Sequence, residues 1–321
     1  MTEISDFYGR SFKTLRVSLL NNCNLACSYC VDSTVTKSEI SKAKFLPKPI
    51  SSNQIVNIIE VLHSILNFES VRFTGGEPTL YTDLEKLIFE VKQLGIPKIK
   101  MTSNGVLLAK KVVALNEAGL SAINISLDSI DSTTSNQINR RDKLKKILLG
   151  IEKSLEAGIK VKLNCVVLKD KNEYQIIELL DYAIGQNIPI RFLELMQMGH
   201  LYHNFEQFFV AEKEILKQIA TKYQFQDLPR DFASTTKYYQ LESGFQFGII
   251  SNVSDPFCND CNRLRLDSFG NIYGCLSENK PINILENLND ISKLKSNLQL
   301  ALSHKKTKFM GSNLSMLAIG G

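Results

Sequence analysis

Cys23, Cys27 and Cys30 stand in a C-x3-C-x2-C spacing directly after the apolar run Leu15-Arg16-Val17-Ser18-Leu19-Leu20. Three soft thiolates on one tight loop can hold three corners of a cubane iron–sulfur cluster. No fourth cysteine lies near them. The fourth iron then stays open, which a catalytic site needs and a structural site avoids. Structural zinc is the plainer alternative, and it wants four ligands. The four histidines, His63, His200, His203 and His304, are all distant in sequence.

A second triplet, Cys258, Cys261 and Cys275, has the spacing C-x2-C-x13-C. It suits zinc or a second cluster, and again only three ligands are visible. Within it, Cys261-Asn262-Arg263-Leu264-Arg265 puts two arginines on one face of a strand. Guanidinium forks fit phosphate or a purine edge; a solvated strand face is the alternative. Gly75-Gly76-Glu77-Pro78 comes straight off an apolar strand, where two glycines let backbone approach a ligand closely. Cys165 stands alone inside the apolar stretch Val161–Leu168 and reads as a small buried hydrophobe.

These residues need elements to position them. Strand patterns run over Leu15–Leu20, Val71–Thr74, Lys98–Thr102, Ala122–Leu127, Val161–Leu168 and Pro189–Leu193. Helical patterns fill 52–66, 83–94, 107–118, 143–157 and 173–184, the last four closed by Gly95, Gly119, Gly158 and Gly185 as C-caps. Such alternation predicts a parallel sheet, and six βα units predict a partial, open (β/α)6 TIM-type barrel. Most of the unusual residues fall at strand C-termini, the reactive face of such barrels. Helix is expected within 205–230, then a loop. A smaller α+β region follows, with strands near Lys237–Leu241, Phe245–Ile250, Arg263–Leu266 and Asn271–Tyr273 and a helix near Ile291–Leu302. The expected division is 1–230 for the barrel and 231–321 for the C-terminal region.

The chain has 321 residues, 44% of them hydrophobic, as expected of a globular α/β protein. Seven cysteines, an odd number, and a start (MTEISDFYGR) without an apolar leader argue against a disulfide framework and for the cytoplasm. No apolar run of about 18 residues predicts a membrane span. The net charge of +5 is spread along the chain, with only short doublets such as Arg140-Arg141 and Lys305-Lys306. A nucleic-acid partner is not expected, since it would call for a basic stripe.

The cysteine loop with Gly75-Gly76-Glu77-Pro78 resembles the radical S-adenosylmethionine (SAM) enzymes. The resemblance then narrows to the GTP 3′,8-cyclase family of molybdenum cofactor biosynthesis. It is carried by Phe7-Tyr8-Gly9-Arg10, Leu15-Arg16-Val17-Ser18, Arg72–Pro78, Ser126-Leu127-Asp128-Ser129, Arg191–Met196, the Cys261–Arg265 element and the terminal Ile319-Gly320-Gly321. It implies that Cys23, Cys27 and Cys30 hold a [4Fe–4S] cluster whose open iron binds SAM. Tyr29, Gly76, Ser126 and Met196 would line the SAM site. Arg16, Arg72, Thr102, Lys162, Arg263, Leu264 and Arg265 would approach GTP. Cys258, Cys261 and Cys275 would hold a second [4Fe–4S] cluster, and Gly320 and Gly321 would act in catalysis.

The implied reaction is that of a lyase: a 5′-deoxyadenosyl radical takes the ribose 3′-hydrogen and the substrate closes on C8 of guanine. The resemblance further implies an electron donor, the downstream cyclic pyranopterin monophosphate synthase as pathway partner, and a homodimer with no legible interface. Leu20-Asn21-Asn22 stands where the family usually has Thr-Asp-Arg, and Val31-Asp32 where it has Met-Pro or Leu-Pro. Two other readings stay open on the residues: a radical SAM enzyme acting on a peptide, and a zinc-dependent nucleotide- or RNA-binding module.

Overall fold

A computed structural model describes residues 4–32 and 48–319. Six parallel strands run in chain order: β1 (Thr14–Ser18), β2 (Ser70–Thr74), β3 (Lys98–Ser103), β4 (Ala122–Ser126), β5 (Lys160–Val167) and β6 (Ile190–Glu194). Each expected strand is present within about two residues at either end. Helices return the chain between them: α1 (Ser52–Leu66), α2 (Leu84–Gln93), α3 (Leu108–Glu117), α4 (Ser132–Asn139), α5 (Leu144–Glu156) and α6 (Ile176–Gly185). The result is the expected partial barrel, an open curved sheet with helices on its outer face.

Alternation along each strand divides the molecule. Leu15, Val17, Val71, Phe73, Ile99, Met101, Ile123 and Leu163 are fully buried in the core between strands and helices. Burying each such side chain stabilises the fold by roughly 1.5–3 kcal/mol. Ile55, Ile58, Ile59 and Leu62 supply the matching stripe of α1, at the three- and four-residue spacing of one helix face. Residues of the other parity, among them Arg16, Thr74, Thr102 and Asn124, face the concave side.

Gly95, Gly119 and Gly158 have positive φ after their helices, as C-caps do. Gly185 departs from expectation: it is the last residue of α6, and Asn187 takes the left-handed turn instead (φ 52°). Helix α4 falls where no helix is expected. Within 205–230 the regular helix is confined to α7 (Glu212–Ile219), and the chain then enters strand β7 (Phe225–Asp227).

The C-terminal region continues the barrel sheet on both sides. Strand β8 (Lys237–Leu241) pairs antiparallel with β7 and with β9 (Gln246–Ile250), and β9 lies parallel against β6. Strand β10 (Arg263–Leu266) lies parallel against β1; β11 (Asn271–Tyr273) and β12 (Ile282–Asn283) extend that edge. One 12-stranded sheet results, in the order β12-β11-β10-β1-β2-β3-β4-β5-β6-β9-β8-β7. The C-terminal region thus borders both open edges of the six-stranded sheet. Helix α8 (Ile291–Ser303) packs its backbone against Gly274, where a Cβ would meet the Ala301 carbonyl at 1.7 Å. No helix among the described residues is long and apolar enough to cross a membrane.

Candidate active site

The concave face encloses one cavity of about 360 Å³, and all six triplet cysteines line it. Topology puts the triplets at opposite ends. Cys23–Cys30 follow the C-terminus of β1, whereas Cys258 and Cys261 precede the N-terminus of β10, which runs parallel to β1. Cys275 follows the antiparallel β11, so it returns to the same end as Cys258 and Cys261. Five residues of β1 lie between the ends, ~17 Å at ~3.3 Å per residue. The second triplet therefore occupies the end of the barrel opposite the strand C-termini at which Cys23–Cys30 and most of the other unusual residues lie.

The N-terminal cysteine loop is held by contacts to its backbone from three sides. Gly76 N–H donates to Leu20 O (2.7 Å) and Glu77 N–H to Asn22 O (2.9 Å). A Cβ on Gly75 would sit 2.5 Å from Leu20 O, and one on Gly76 2.2 Å from Asn22 O. These glycines are there to let the segment entering the cysteine loop lie against the turn. Helix α4 supplies the second clamp, with Asn139 O accepting from Ala26 N–H and Ile138 O from Ser28 N–H. The third is His200, whose Nε2 lies 3.0 Å from Ser28 O.

Two buried carboxyls support this loop. Glu77 Oε1 accepts from Thr79 N–H, Thr79 Oγ1 and Ser103 Oγ, and Oε2 accepts from Asn104 N–H at 2.7 Å. Asn104 in turn directs Nδ2 at Cys23 Sγ (3.6 Å) and at Asn24 Oδ1 (2.6 Å). Asp128 Oδ2 accepts from Tyr29 Oη (2.8 Å) and Oδ1 from Val166 N–H (2.9 Å). Burial pushes Asp128 up to about 6, and it pushes the Cys30 thiol up to about 12.

The C-terminal triplet has cations around it. Burial pushes Cys258 up to about 11. At Cys261 burial also acts upward, but Arg263 and Lys305 outweigh it and hold the thiol near 6. Lys305 Nζ donates to Cys261 Sγ at 3.2 Å.

Between the triplets the strand register lines up like charges. Arg265 pairs with Arg16, Arg16 with Arg72, and Arg72 with Lys100 across β10, β1, β2 and β3. Like charges directly opposite on a sheet repel. Burial first, then Arg265, Arg72, Arg263 and Arg191, push Arg16 far below its ordinary range. A guanidinium does not release its proton in a protein, so Arg16 stays charged beside its neighbours. Burial and the neighbours Arg72, Lys98, Lys162 and Arg191 push Lys100 down to about 8.

The structure brings Tyr29, Gly76, Ser126, Met196, Arg16, Thr102, Arg263 and Arg265 to the cavity wall together with the six cysteines. Arg72 and Lys162 stay behind the wall. Arg72 Nη1 donates to Met101 O (3.1 Å) and Thr102 Oγ1 (3.3 Å), and Lys162 Nζ to Tyr238 Oη (2.7 Å). Leu264 is fully buried on the outward parity of β10, in the core rather than at the cavity. Gly320 and Gly321 lie outside the described residues. The segment leading to them does reach the cavity: Met316 and Leu317 line it, and the Leu317 backbone hydrogen-bonds the Cys30 sulfur.

Arg191 also lines the wall and carried no chemical role in the sequence reading. Its Nε and Nη2 both donate to Asn164 Oδ1, at 2.9 and 2.6 Å. The partner strand makes room for it, since a Cβ on Gly248 would lie 3.2 Å from Arg191 Cγ. The signal for it was parity: Arg191 continues the inward row through Asn164 and Ser126.

Three soft thiolates, Cys23, Cys27 and Cys30, on one loop at the cavity are a donor set that fits an iron–sulfur cluster.

Comparison with known proteins agrees with this geometry. The Radical SAM superfamily matches residues 17–183, and Molybdenum Cofactor Synthesis C matches residues 188–310. GTP 3′,8-cyclase of Helicobacter pylori (strain ATCC 700392 / 26695) is 36% identical over 310 residues, 95% of this chain and 94% of that one. The enzyme of the same name from Staphylococcus haemolyticus is 39% identical over 284 residues, 86% of this chain and 82% of that one. Among solved structures, Streptococcus suis SuiB bound to S-adenosylmethionine superposes with TM-score 0.61 at 17% identity, over 89% of this chain and 66% of that one. The anSMEcpe structure with bound AdoMet gives 0.56 at 15%, over 90% and 83%. At such identities the structures speak for the fold alone, while the sequence matches place this chain in the radical SAM superfamily and, within it, in the GTP 3′,8-cyclase family.

Proposed function

We propose that this chain cyclises GTP by joining ribose C3′ to guanine C8, giving (8S)-3′,8-cyclo-7,8-dihydroguanosine 5′-triphosphate, the first committed product of molybdenum cofactor biosynthesis. The observation that carries this reading is the set Arg16, Arg191, Arg263 and Arg265 on the wall of one cavity with both cysteine triplets. A triphosphate carries the dense negative charge that several guanidinium groups on one wall bind through charge-assisted hydrogen bonds. A peptide substrate, the other radical SAM reading, brings no comparable density of negative charge.

Cys23, Cys27 and Cys30 would hold a [4Fe–4S] cluster with SAM, and Cys258, Cys261 and Cys275 a second [4Fe–4S] cluster facing the guanine. Bound together, the N-terminal cluster and SAM supply the 5′-deoxyadenosyl radical that takes the ribose 3′-hydrogen. The chain's own residues do the rest. Tyr29, Gly76, Ser126 and Met196 line the end of the cavity near Cys23–Cys30 and would seat SAM. Arg16, Thr102, Arg263, Arg265 and Arg191 would contact GTP, with Arg72 and Lys162 adding positive charge behind them. Leu193, Leu195, Met196, Phe309 and Met316 line the wall with apolar surface that keeps water from a reactive radical. Gly320 and Gly321, which follow Ile319 directly in the sequence, would act in catalysis.

An electron donor and the downstream cyclic pyranopterin monophosphate synthase complete the functional setting, with residues 1–230 and 231–321 as its two parts and a cytoplasmic homodimer as its form.

The test is anaerobic turnover of reconstituted protein with GTP, SAM and dithionite. The expected products are 5′-deoxyadenosine and the 3′,8-cyclised nucleotide in parallel. Deoxyadenosine without cyclised nucleotide, from protein with full iron content, would overturn the substrate assignment.

A further inference from the structure

Lys305 is 7% exposed, and its ammonium has two polar partners, Cys261 Sγ at 3.2 Å and Arg263 O at 3.1 Å. Its Nζ also sits 5.1 Å from the centre of the Phe12 ring. The ammonium is held in place from behind. Arg10, 3% exposed, donates to Cys258 O (3.0 Å), Lys306 O (2.9 Å) and Lys305 O (3.3 Å). One guanidinium thus ties the start of the chain to the Cys258 turn and to the segment that carries Lys305.

The N-terminal triplet has neutral partners. Cys23 accepts from the Asn104 amide, and Cys27 Sγ lies 3.4 Å from Asn139 Oδ1. The charges that act on its sulfurs are acidic, Glu77 at Cys23 and Asp128 at Cys27. One triplet therefore sits in a negative field with amide partners, the other in a positive field with a buried ammonium on one sulfur.

We propose that Lys305 is a positioning residue that raises the reduction potential of the C-terminal cluster above that of the N-terminal one, through its charged hydrogen bond to Cys261 Sγ. The inference rests on the two-cluster reading above. One-electron reduction adds a negative charge to a cluster without making or breaking a bond. A fixed cation hydrogen-bonded to a ligating sulfur stabilises the reduced form. The charge lies on one cluster only, so it separates the two potentials and directs an incoming electron toward the cluster that faces substrate.

The experiment is a redox titration of full-length, anaerobically reconstituted protein with dithionite, followed by electron paramagnetic resonance. Parent, Lys305→Gln, Lys305→Met and Lys305→Arg are compared, and Cys258→Ala identifies the wave of the C-terminal cluster. Neutralising Lys305 is expected to move that wave to more negative potential by about tenfold in its equilibrium, ~59 mV for a one-electron couple. The N-terminal wave stays where it is, and Lys305→Arg restores most of the shift. Both waves unmoved, or both moved equally, would overturn the proposal. So would loss of the C-terminal cluster from both neutral variants, which would make Lys305 a structural support. Iron content separates the two levels of failure: about four irons per parent chain instead of about eight removes the second cluster itself, and the proposal with it.

Discussion

Glu77 shows how much of this site is carried by a residue that touches no reactant. It is fully buried and accepts four hydrogen bonds, and its Oε2 bond to Asn104 N–H sets the amide that points at Cys23. Glu77→Gln turns one acceptor into a donor facing a donor, at a cost of about 1–3 kcal/mol. The expected result is a lower unfolding midpoint together with lower iron retention at the N-terminal triplet, read by calorimetry and iron analysis. Lys100 makes a pH prediction. Its folded pKa, near 8, lies below the ordinary lysine value, so the folded chain binds fewer protons than the unfolded one between about pH 8 and 10. Stability should rise with pH across that window. Unfolding midpoints at pH 7, 8 and 9 check this, and Lys100→Met should flatten the profile. At this scale the cysteines and the Arg263–Arg265 pair were legible because type and spacing alone state their chemistry. Arg191 was not, since it sits in an apolar strand, and only the register with Asn164 shows which way it faces. Leu264 was grouped with its flanking arginines, but alternation turns it into the core. The unusual Asn21-Asn22 pair is tolerated because the contact made there uses the Asn22 carbonyl rather than a side chain.

Elements, rather than single residues, fix the shape of the cysteine loop. The Gly75-Gly76 turn and helix α4 close on it from two sides through backbone hydrogen bonds. Gly76→Ala would push a methyl to 2.2 Å from the Asn22 carbonyl, so the turn and the loop must separate. The expected outcome is loss of the N-terminal cluster with the C-terminal one retained, about half the parent iron, and no deoxyadenosine. The turn was legible as a motif, but its reason was not: the glycines accommodate the loop's own backbone. Helix α4 was missed because Ser132-Thr133-Thr134-Ser135-Asn136 reads as loop; those side chains compete with the helix for backbone hydrogen bonds. It forms because Asp131 caps Thr134 N–H at 2.7 Å and because Ile138 is buried against Leu168, Leu195 and Leu201. The inward parity of β10 gives a further prediction. Leu264→Ala should destabilise the fold by about 2–5 kcal/mol while leaving the KM for GTP near the parent value, whereas Arg265→Met should raise the KM for GTP.

The whole molecule is a sheet assembled from distant parts of the chain. Strand β10 completes the cation row only because residues 263–266 pair with residues 14–17 across some 250 positions of sequence, a pairing that no local pattern announces. That pairing sets Arg265 beside Arg16 and so creates the repulsion the fold must carry. Hydrophobic burial on the outer parity of the same strands (Leu15, Val17, Leu264 and Leu266 are all fully buried) holds the row together against it. A site built this way trades stability for affinity, and the trade can be measured. Replacing Arg16 by Met keeps an unbranched apolar stem, removes the charge that faces four other arginines, and buries apolar atoms in its place. The nucleotide-free variant should therefore be more stable than the parent, its unfolding midpoint higher by about 2 °C for each kcal/mol of repulsion removed. GTP should act in the opposite sense. In the parent, a hundredfold excess over Kd stabilises the fold by about 2.7 kcal/mol; in Arg16→Met that gain should largely vanish. Differential scanning calorimetry of both proteins, with and without GTP, gives four midpoints. A variant less stable than the parent without nucleotide would show that Arg16 is held by the fold for its own sake, and the cation row would lose its standing as an anion site.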